Sequence, residues 1–506
     1  MRRGWCAAPL ALLFFVVVWP VFQLFRQGAG ALSFDFLGDP FYRWRLAWTF
    51  CQALLTCLLA LGIGVPVAWV LARFEFPGRR MLTRCLMLPF VMPTLVAGIG
   101  VLALFGPNGL SGINLQDTPW LLLYGNLFYN LPMLIRSAQE GFARVPANRL
   151  AAARTLGASP WRVFRRVELP AAAPWICSAL CLVFLYCFSG FGLALLLGGQ
   201  RYATVEVEIY TLVAYELNLT DAGALALSVM IMTGISALIY AWLEMRLGRA
   251  ARGRAEPRRR TRGWHQRAML GGALAIVAVF ALAPLLAIVM RAIVPDAWGV
   301  LSDEETLGAL WNTARFTGIA LVSATAFGLA HAFALRRSAW FRALSFLPYA
   351  VSPVCMAFGL LLLYPGLGAS LIMLLSAYTV LAYPFIARSV SAALDAVDEH
   401  LPAAARTLGA SPWRTLTRVL MPIIAPALAR GMAFAAATAL GEFAVTLFLS
   451  RPEWMTLTTL IYQHLGRPGA ENMNAAMVLS CLLMMLALLA FIVIEWPSRR
   501  EAPCSN

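Results

Sequence analysis

The sequence predicts an all-α integral membrane protein with about 12 transmembrane helices in two parallel six-helix repeats. Three observations lead there. The chain has 506 residues, 61% of them hydrophobic and 13% charged, against about 25% charged in an ordinary soluble chain. Apolar runs of roughly 18–25 residues recur along its whole length, which is the reach of a helix across a bilayer. They lack period-two alternation, so they read as helices and not as strands of a barrel. Finally, one polar phrase, Ala-Ala-Ala-Arg-Thr-Leu-Gly-Ala-Ser-Pro-Trp-Arg, stands at 151–162 and again at 403–414, 252 residues later.

Six spans are expected near 8–25, 50–72, 86–106, 119–138, 172–198 and 223–246, and six more near 268–290, 310–334, 343–363, 368–388, 426–450 and 475–495. The first also has the make-up of a signal peptide, with Arg2 and Arg3 before it and Ala-Gly-Ala at 29–31 after it. A retained helix is preferred, because cleavage leaves the first half one span short of the second.

Arginine sets the orientation. The net charge is +16 and lysine is absent, so every Lys/Arg charge is arginine. Arg2 and Arg3 precede span one; Arg73, Arg79, Arg80 and Arg84 follow span two; six arginines occupy 139–170 against Glu140 and Glu168. Nine more fall in 246–267, Arg336, Arg337 and Arg342 follow span eight, and Arg499 and Arg500 close the chain. The opposite loops lean acidic, with Glu206, Glu208, Glu216 and Asp221 in one and Asp296, Asp303, Glu304 and Glu305 in the other. Under the positive-inside rule both termini lie in the cytoplasm of a multi-pass inner-membrane protein. Arginines placed between apolar runs argue against nucleic acid as a partner. The basic stretch near 251–267 is too polar to cross; it fixes topology or touches anionic membrane lipid.

Several chemistries are excluded. A Walker A loop and a Schiff-base enzyme both need a lysine. The ten cysteines show no C-x-x-C, and Cys177 and Cys181, four apart, read as buried small hydrophobes. The four histidines form no H-E-x-x-H, so neither a bound metal nor another cofactor is expected.

The duplication extends past the phrase. Arg136-Ser137 matches Arg388-Ser389, Val145 matches Val397, and Pro170 matches Pro422; Pro89 and Pro93 recur as Pro348 and Pro353. The units are therefore 1–250 and 268–506, joined by the linker 251–267. An even number of spans makes the repeat parallel, so both phrases face the same side. Within the phrase, Ala151, Ala152, Ala153, Arg154 and Leu156 favour a helix, which Gly157 ends in a left-handed turn. Ser159 caps the next helix, with Pro160 in its first turn and a stop near Pro170. Ala403, Ala404, Ala405, Arg406, Leu408, Gly409, Ser411, Pro412 and Pro422 repeat the design. Identity over twelve residues points to one surface met twice, as a homodimeric partner offers.

These segments resemble the EAA loops of permease subunits in bacterial ATP-binding-cassette importers, whose pattern is E-A-A, three residues, G, nine residues, I-x-L-P. Ala151, Ala152, Ala153, Gly157, Val167, Leu169 and Pro170 hold its fixed positions, and Ala403, Ala404, Ala405, Gly409, Val419, Met421 and Pro422 hold them in the copy. Alanine replaces the glutamate in both. The resemblance implies a type I importer fold in which 139–170 and 391–422 are coupling loops. It implies two cytoplasmic ATP-binding subunits, with ATP and Mg bound there and not on this chain. A periplasmic solute-binding protein would deliver the substrate.

The run 204–230, with Thr204, Glu206, Ile209, Tyr210 and Tyr215, is most similar to the permeases for thiamine and its phosphates, and 454–466 is so in outline; those for ferric iron are the alternative. An aromatic cation suits acidic and aromatic groups near the path, and Glu206, Glu208, Tyr210 and Tyr215 are expected at the outer mouth. Glu442 falls inside the eleventh span, where an ionisable group lines a path or caps a helix end; Gly190 holds the matching place. An ion-driven secondary transporter is the rival class, but twin docking loops are foreign to it.

Overall fold

The computed structural model describes residues 4–29, 38–247, 258–335, 347–366, 370–398, 400–449 and 451–495. Arg2, Arg3, Arg336, Arg337, Arg342, Arg499, Arg500 and the linker before residue 258 lie outside them. The architecture is helical throughout, with one two-residue strand pair. Among the described residues nine helices are long and apolar enough to cross a membrane, and a bent pair makes ten. This is a multi-pass, all-α membrane protein.

The long spans carry the labels α1 (residues 4–29), α2 (Pro40–Arg73), α6 (Pro160–Phe188), α9 (Leu219–Leu247), α10 (Trp264–Ala292), α11 (Glu304–Leu335), α13 (Leu371–Asp395), α15 (Pro412–Leu440) and α18 (Ala470–Glu495). The third expected span is the bent pair. Residues Met81–Val91 and α3 (Thr94–Phe105) meet at 105°, because Pro93 cannot continue a helix and drives its neighbour into extended backbone. The fourth, α4 (Pro119–Ala143), forms as a helix but is not among the apolar ones: Asn126, Asn130, Arg136, Gln139 and Glu140 interrupt it. The ninth survives as the short α12 (Pro353–Leu363), the start of its expected range lying outside the described residues.

The fifth and eleventh spans are broken, not continuous. Helix α6 stops at Phe188 and the chain restarts as α7 (Gly192–Leu197); α15 stops at Leu440 and restarts as α16 (Ala444–Leu449). Each span begins earlier than hydropathy indicates, at Pro160 and Pro412 within the repeated phrase. Pro170 does not end its helix, nor does Pro422. A π-helical turn at Phe164–Glu168, and again at Leu416–Leu420, shifts the hydrogen-bond ladder just ahead of each proline and absorbs its missing N–H.

These elements keep the spacing seen in the sequence. The bounds of α4 and α13, α6 and α15, and α7 and α16 each differ by 252 residues, as do those of α8 (Val205–Ala214) and α17 (Leu457–Gly466). The same device anchors the last pair: Thr49 Oγ1 accepts from Val205 N–H at 2.9 Å, and Thr313 Oγ1 accepts from Leu457 N–H at 2.9 Å.

The first helix of each half crosses to the other. Helix α1 packs on α9 but also on α11 and α12; α10 packs on α18 but also on α2 and α3. Small residues allow the close approach. A Cβ at Gly359 of α12 would stand 2.9 Å from the Pro20 carbonyl oxygen of α1, and one at Gly28 would stand 2.4 Å from that of Gly223 in α9. Past the end of α2, Phe74–Glu75 pairs in parallel with Arg259–Arg260, and Arg258 reaches Glu75 at 3.7 Å, so the end of the inter-half linker is fastened to the bundle.

Candidate functional site

The two broken spans meet at a cavity of about 230 Å³. Its walls come from both halves: the bend before α3, α4 and the α6–α7 break on one side, and α13, the start of α12 and the α15–α16 break on the other. A helix that ends inside a membrane leaves carbonyl and N–H groups without water to satisfy them, and the sequence supplies partners at each break. In the first half Gln52 Nε2 donates to Cys187 O at 2.8 Å, Asn126 Nδ2 donates to Gln52 Oε1 at 2.7 Å, and Ser189 Oγ donates to Leu185 O at 2.7 Å. In the second half Glu442 Oε1 accepts from Val445 N–H at 2.9 Å, and Thr458 Oγ1 donates to Glu442 O at 3.0 Å. Glu442 is nearly buried, lines the cavity and ties down the start of α16. The helix-end position read from the sequence describes its bond to Val445 N–H.

Two stacked rings, one from each broken span, form part of the cavity wall. Phe191 and Phe443 stack at 5.8 Å between centroids with their planes 28° apart. Behind them Tyr210 sits 5.5 Å from Phe191, and Tyr462 sits 5.4 Å from Phe443. Tyr210 also packs on Phe448 at 5.2 Å and Tyr215 at 5.7 Å. Tyr210 is buried and Tyr215 largely exposed; neither lines the cavity itself.

Glu206 and Glu208 do not form an open acidic mouth. Residues 205–214 coil into α8, which packs inward. Glu206 is fully buried and accepts from Ser352 Oγ at 2.9 Å; Glu208 pairs with Arg45 at 3.1 Å. The cysteines differ as well: Cys177 is exposed and Cys181 half-buried, because the i, i+4 face they share turns away from the bundle interior. Among the described residues no group of three or more His, Cys, Asp or Glu is placed to hold a metal.

The repeated phrases lie at the opposite end of α6 and α15. From Arg162 to Leu182 the helix climbs roughly 30 Å. Helix α5 (Ala147–Thr155) ends in a Schellman turn: Ala158 N–H donates to Ala153 O at 3.1 Å and Gly157 N–H to Arg154 O at 3.0 Å, with Gly157 at φ +74°. Helix α14 (His400–Thr407) ends alike, Ala410 to Ala405 and Gly409 to Arg406, both at 3.0 Å, with Gly409 at φ +80°. Ser159 and Ser411 cap the next helices through Arg162 N–H and Arg414 N–H. Ala151, Ala152, Arg154, Ala404, Arg406, Pro170 and Pro422 are exposed; Ala153, Ala403 and Ala405 are half-buried. Leu156 is 87% exposed and Leu408 88%, with Trp161 and Trp413 exposed beside them. No residue in the described chain covers these apolar tips.

One further residue carried no signal beyond its charge. Glu168 is buried just after the first phrase and accepts hydrogen bonds from Arg73 and Trp69 at the end of α2. Its counterpart is Leu420. The partners lie 95 and 99 residues away, so local pattern could not reveal them.

Comparison with known proteins fits this geometry. The chain is 27% identical to the thiamine transport system permease protein of Escherichia coli K12 over 90% of its own length and 89% of that protein. It is 26% identical to the Salmonella typhimurium LT2 protein of the same name, covering 99% and 97%, and 23% identical to that of Haemophilus influenzae, covering 90% and 89%. A family model described as "Binding-protein-dependent transport system inner membrane component" matches residues 64–252 and again 324–501. Two matches spanning most of the chain, on a helical membrane bundle with no lysine for a nucleotide loop, leave one assignment: the chain belongs to this family of transport-system inner-membrane components and is a transport subunit without an ATPase site of its own.

Proposed function

We propose that the chain is the fused permease of a bacterial ATP-binding-cassette importer that carries thiamine or thiamine pyrophosphate inward by alternating access. The observation that carries the importer reading is the pair of identical turn–helix loops with uncovered Leu156 and Leu408 at their tips. Apolar side chains on polar loops are stable when a partner buries them. Two cytoplasmic ATP-binding subunits take one loop each, 139–170 and 391–422, and hold the ATP and Mg. Closure of those subunits moves the loops, and the stiff helices α6 and α15 transmit the motion to the cavity. A periplasmic solute-binding protein hands substrate to the other side.

In this reading the chain has 12 spans in two parallel repeats, 1–250 and 268–506, with both termini cytoplasmic in the inner membrane. The 252-residue spacing of α4, α6, α7 and α8 from their counterparts supports the repeat. The Phe191–Phe443 layer is then the outer gate, shut in this conformation. The full-length relatives, each named a thiamine permease, support the substrate. Proteoliposomes holding this chain, its ATPase and its binding protein should accumulate thiamine only with ATP. Uptake driven by an ion gradient with no ATPase present would instead establish a secondary transporter.

A further inference from the structure

We propose that the cavity at the two helix breaks is a binding subsite for a flat, heteroaromatic organic cation, so that the permease itself reads the charge of what passes. This deepens the import reading and rests on it. The chain carries a net charge of +16, yet no arginine lines the cavity, and Glu442 is the one charged residue that does. The backbone N–H groups of Val445, Phe443 and Ala444 hold its oxygens, but no cationic side chain among the lining residues answers its charge. A carboxylate in an apolar chamber is stabilised by a counter-charge, and an entering cation supplies it.

The walls fit the rest of such a molecule. Phe90 lies 5.7 Å from Tyr129, 5.8 Å from Tyr186 and 6.3 Å from Phe434, and Phe434 lies 6.2 Å from Phe385, so five rings form one connected surface. All five line the cavity. Ring faces attract cations and stack on planar systems. The volume, about 230 Å³, is below the roughly 300–1,000 Å³ of drug-sized pockets, so it takes a small ring system with little water. A hard metal cation wants six or more oxygen donors, which one carboxylate among rings does not provide. Gly190 stands at the position equivalent to Glu442, so the carboxylate is single and the guest has one orientation.

The test is equilibrium binding of radiolabelled thiamine, and of its neutral ring-closed relative thiochrome, to the full chain with its ATPase in nanodiscs without the binding protein. Glu442→Gln should weaken thiamine binding about tenfold, about 1.4 kcal/mol, and leave thiochrome unchanged; Glu442→Asp should recover part of the loss. Phe434→Ala should weaken both several-fold, and carries the test where the Glu442 variants fail to fold. A folded Glu442→Gln complex, or Phe434→Ala, that binds thiamine as the parent does overturns the subsite while ATP-driven uptake still stands. So does a parent complex that imports solute yet prefers no ring cation, thiamine or N-methylnicotinamide, over thiochrome. Failure of the import reading is separate: no ATP-driven uptake of any solute.

Discussion

Phe191 and Phe443 are separated by 252 residues in the chain and by 5.8 Å between their rings. Each is flanked by the tyrosine of its own half, Tyr210 or Tyr462, themselves 252 residues apart. The contact joins the two broken spans, α6–α7 and α15–α16, across the cavity. If the pair is the proposed outer gate, it is where the two spans part during transport. Replacing both by cysteine and joining them with a short bifunctional thiol reagent should abolish uptake, and a cleavable reagent should restore it on reduction. Full uptake by the joined protein would remove the pair from the path.

Gly157 and Gly409 hold φ +74° and +80°, a region where aspartate and asparagine are tolerated and other side chains are strained. A Cβ at either meets nothing within 4 Å. Gly157→Asn with Gly409→Asn should thus leave the loops folded, with ATPase binding near that of the parent. Gly157→Asp with Gly409→Asp adds charge at the same points and should lose copurification of the ATPase together with uptake. Equal copurification of the two double variants would count against docking at these loops.

Glu168 binds Arg73 and Trp69 from a buried position, joining the base of the first loop to the end of α2. Truncating one partner of a buried pair typically costs about 3–5 kcal/mol. Glu168→Ala should lower the detergent melting temperature measurably. Leu420→Ala, at the equivalent position, removes a half-buried apolar side chain and should shift it less. A thermal scan showing equal shifts would mean the ion pair adds little.

Gly359 lets α12 lie against the Pro20 carbonyl of α1 at 2.9 Å from where a Cβ would be. The obstructing atoms are the carbonyl and Cβ of Pro20 and cannot rotate away. Gly359→Val should cost about 1–3 kcal/mol by overpacking, read as reduced melting temperature and lower yield of folded protein. Gly308, where a Cβ meets nothing within 4 Å, is the control and should accept alanine.

Much of this was legible in the residues. Hydropathy located nearly every long helix, and the duplicated phrase gave both turns, down to the capping serines and left-handed glycines, because those depend on neighbours a few positions away. The breaks at Ser189–Phe191 and Gly441–Phe443 were not legible as breaks: the runs stay apolar on both sides of Ser189 and Glu442, and the hydrogen bonds that tolerate a break come from Gln52, 135 residues from Cys187, and from Thr458. Glu206 and Glu208 read as surface acids because their partners, Ser352 and Arg45, are remote in the chain. Bends at Pro93 were visible as prolines, but the angle is set by packing. Pro170 and Pro422 read as stops because a π-helical turn leaves no mark in hydropathy.

The exchange of first helices has a mechanical corollary. Because α1 lies on α11 and α12 while α10 lies on α2 and α3, the two wings are clasped like linked elbows. Neither wing is a self-sufficient body, and a tilt of one necessarily drags a rod belonging to the other. Such a clasp resists pulling the wings apart, because separation would have to strip each first helix from the neighbours it borrows.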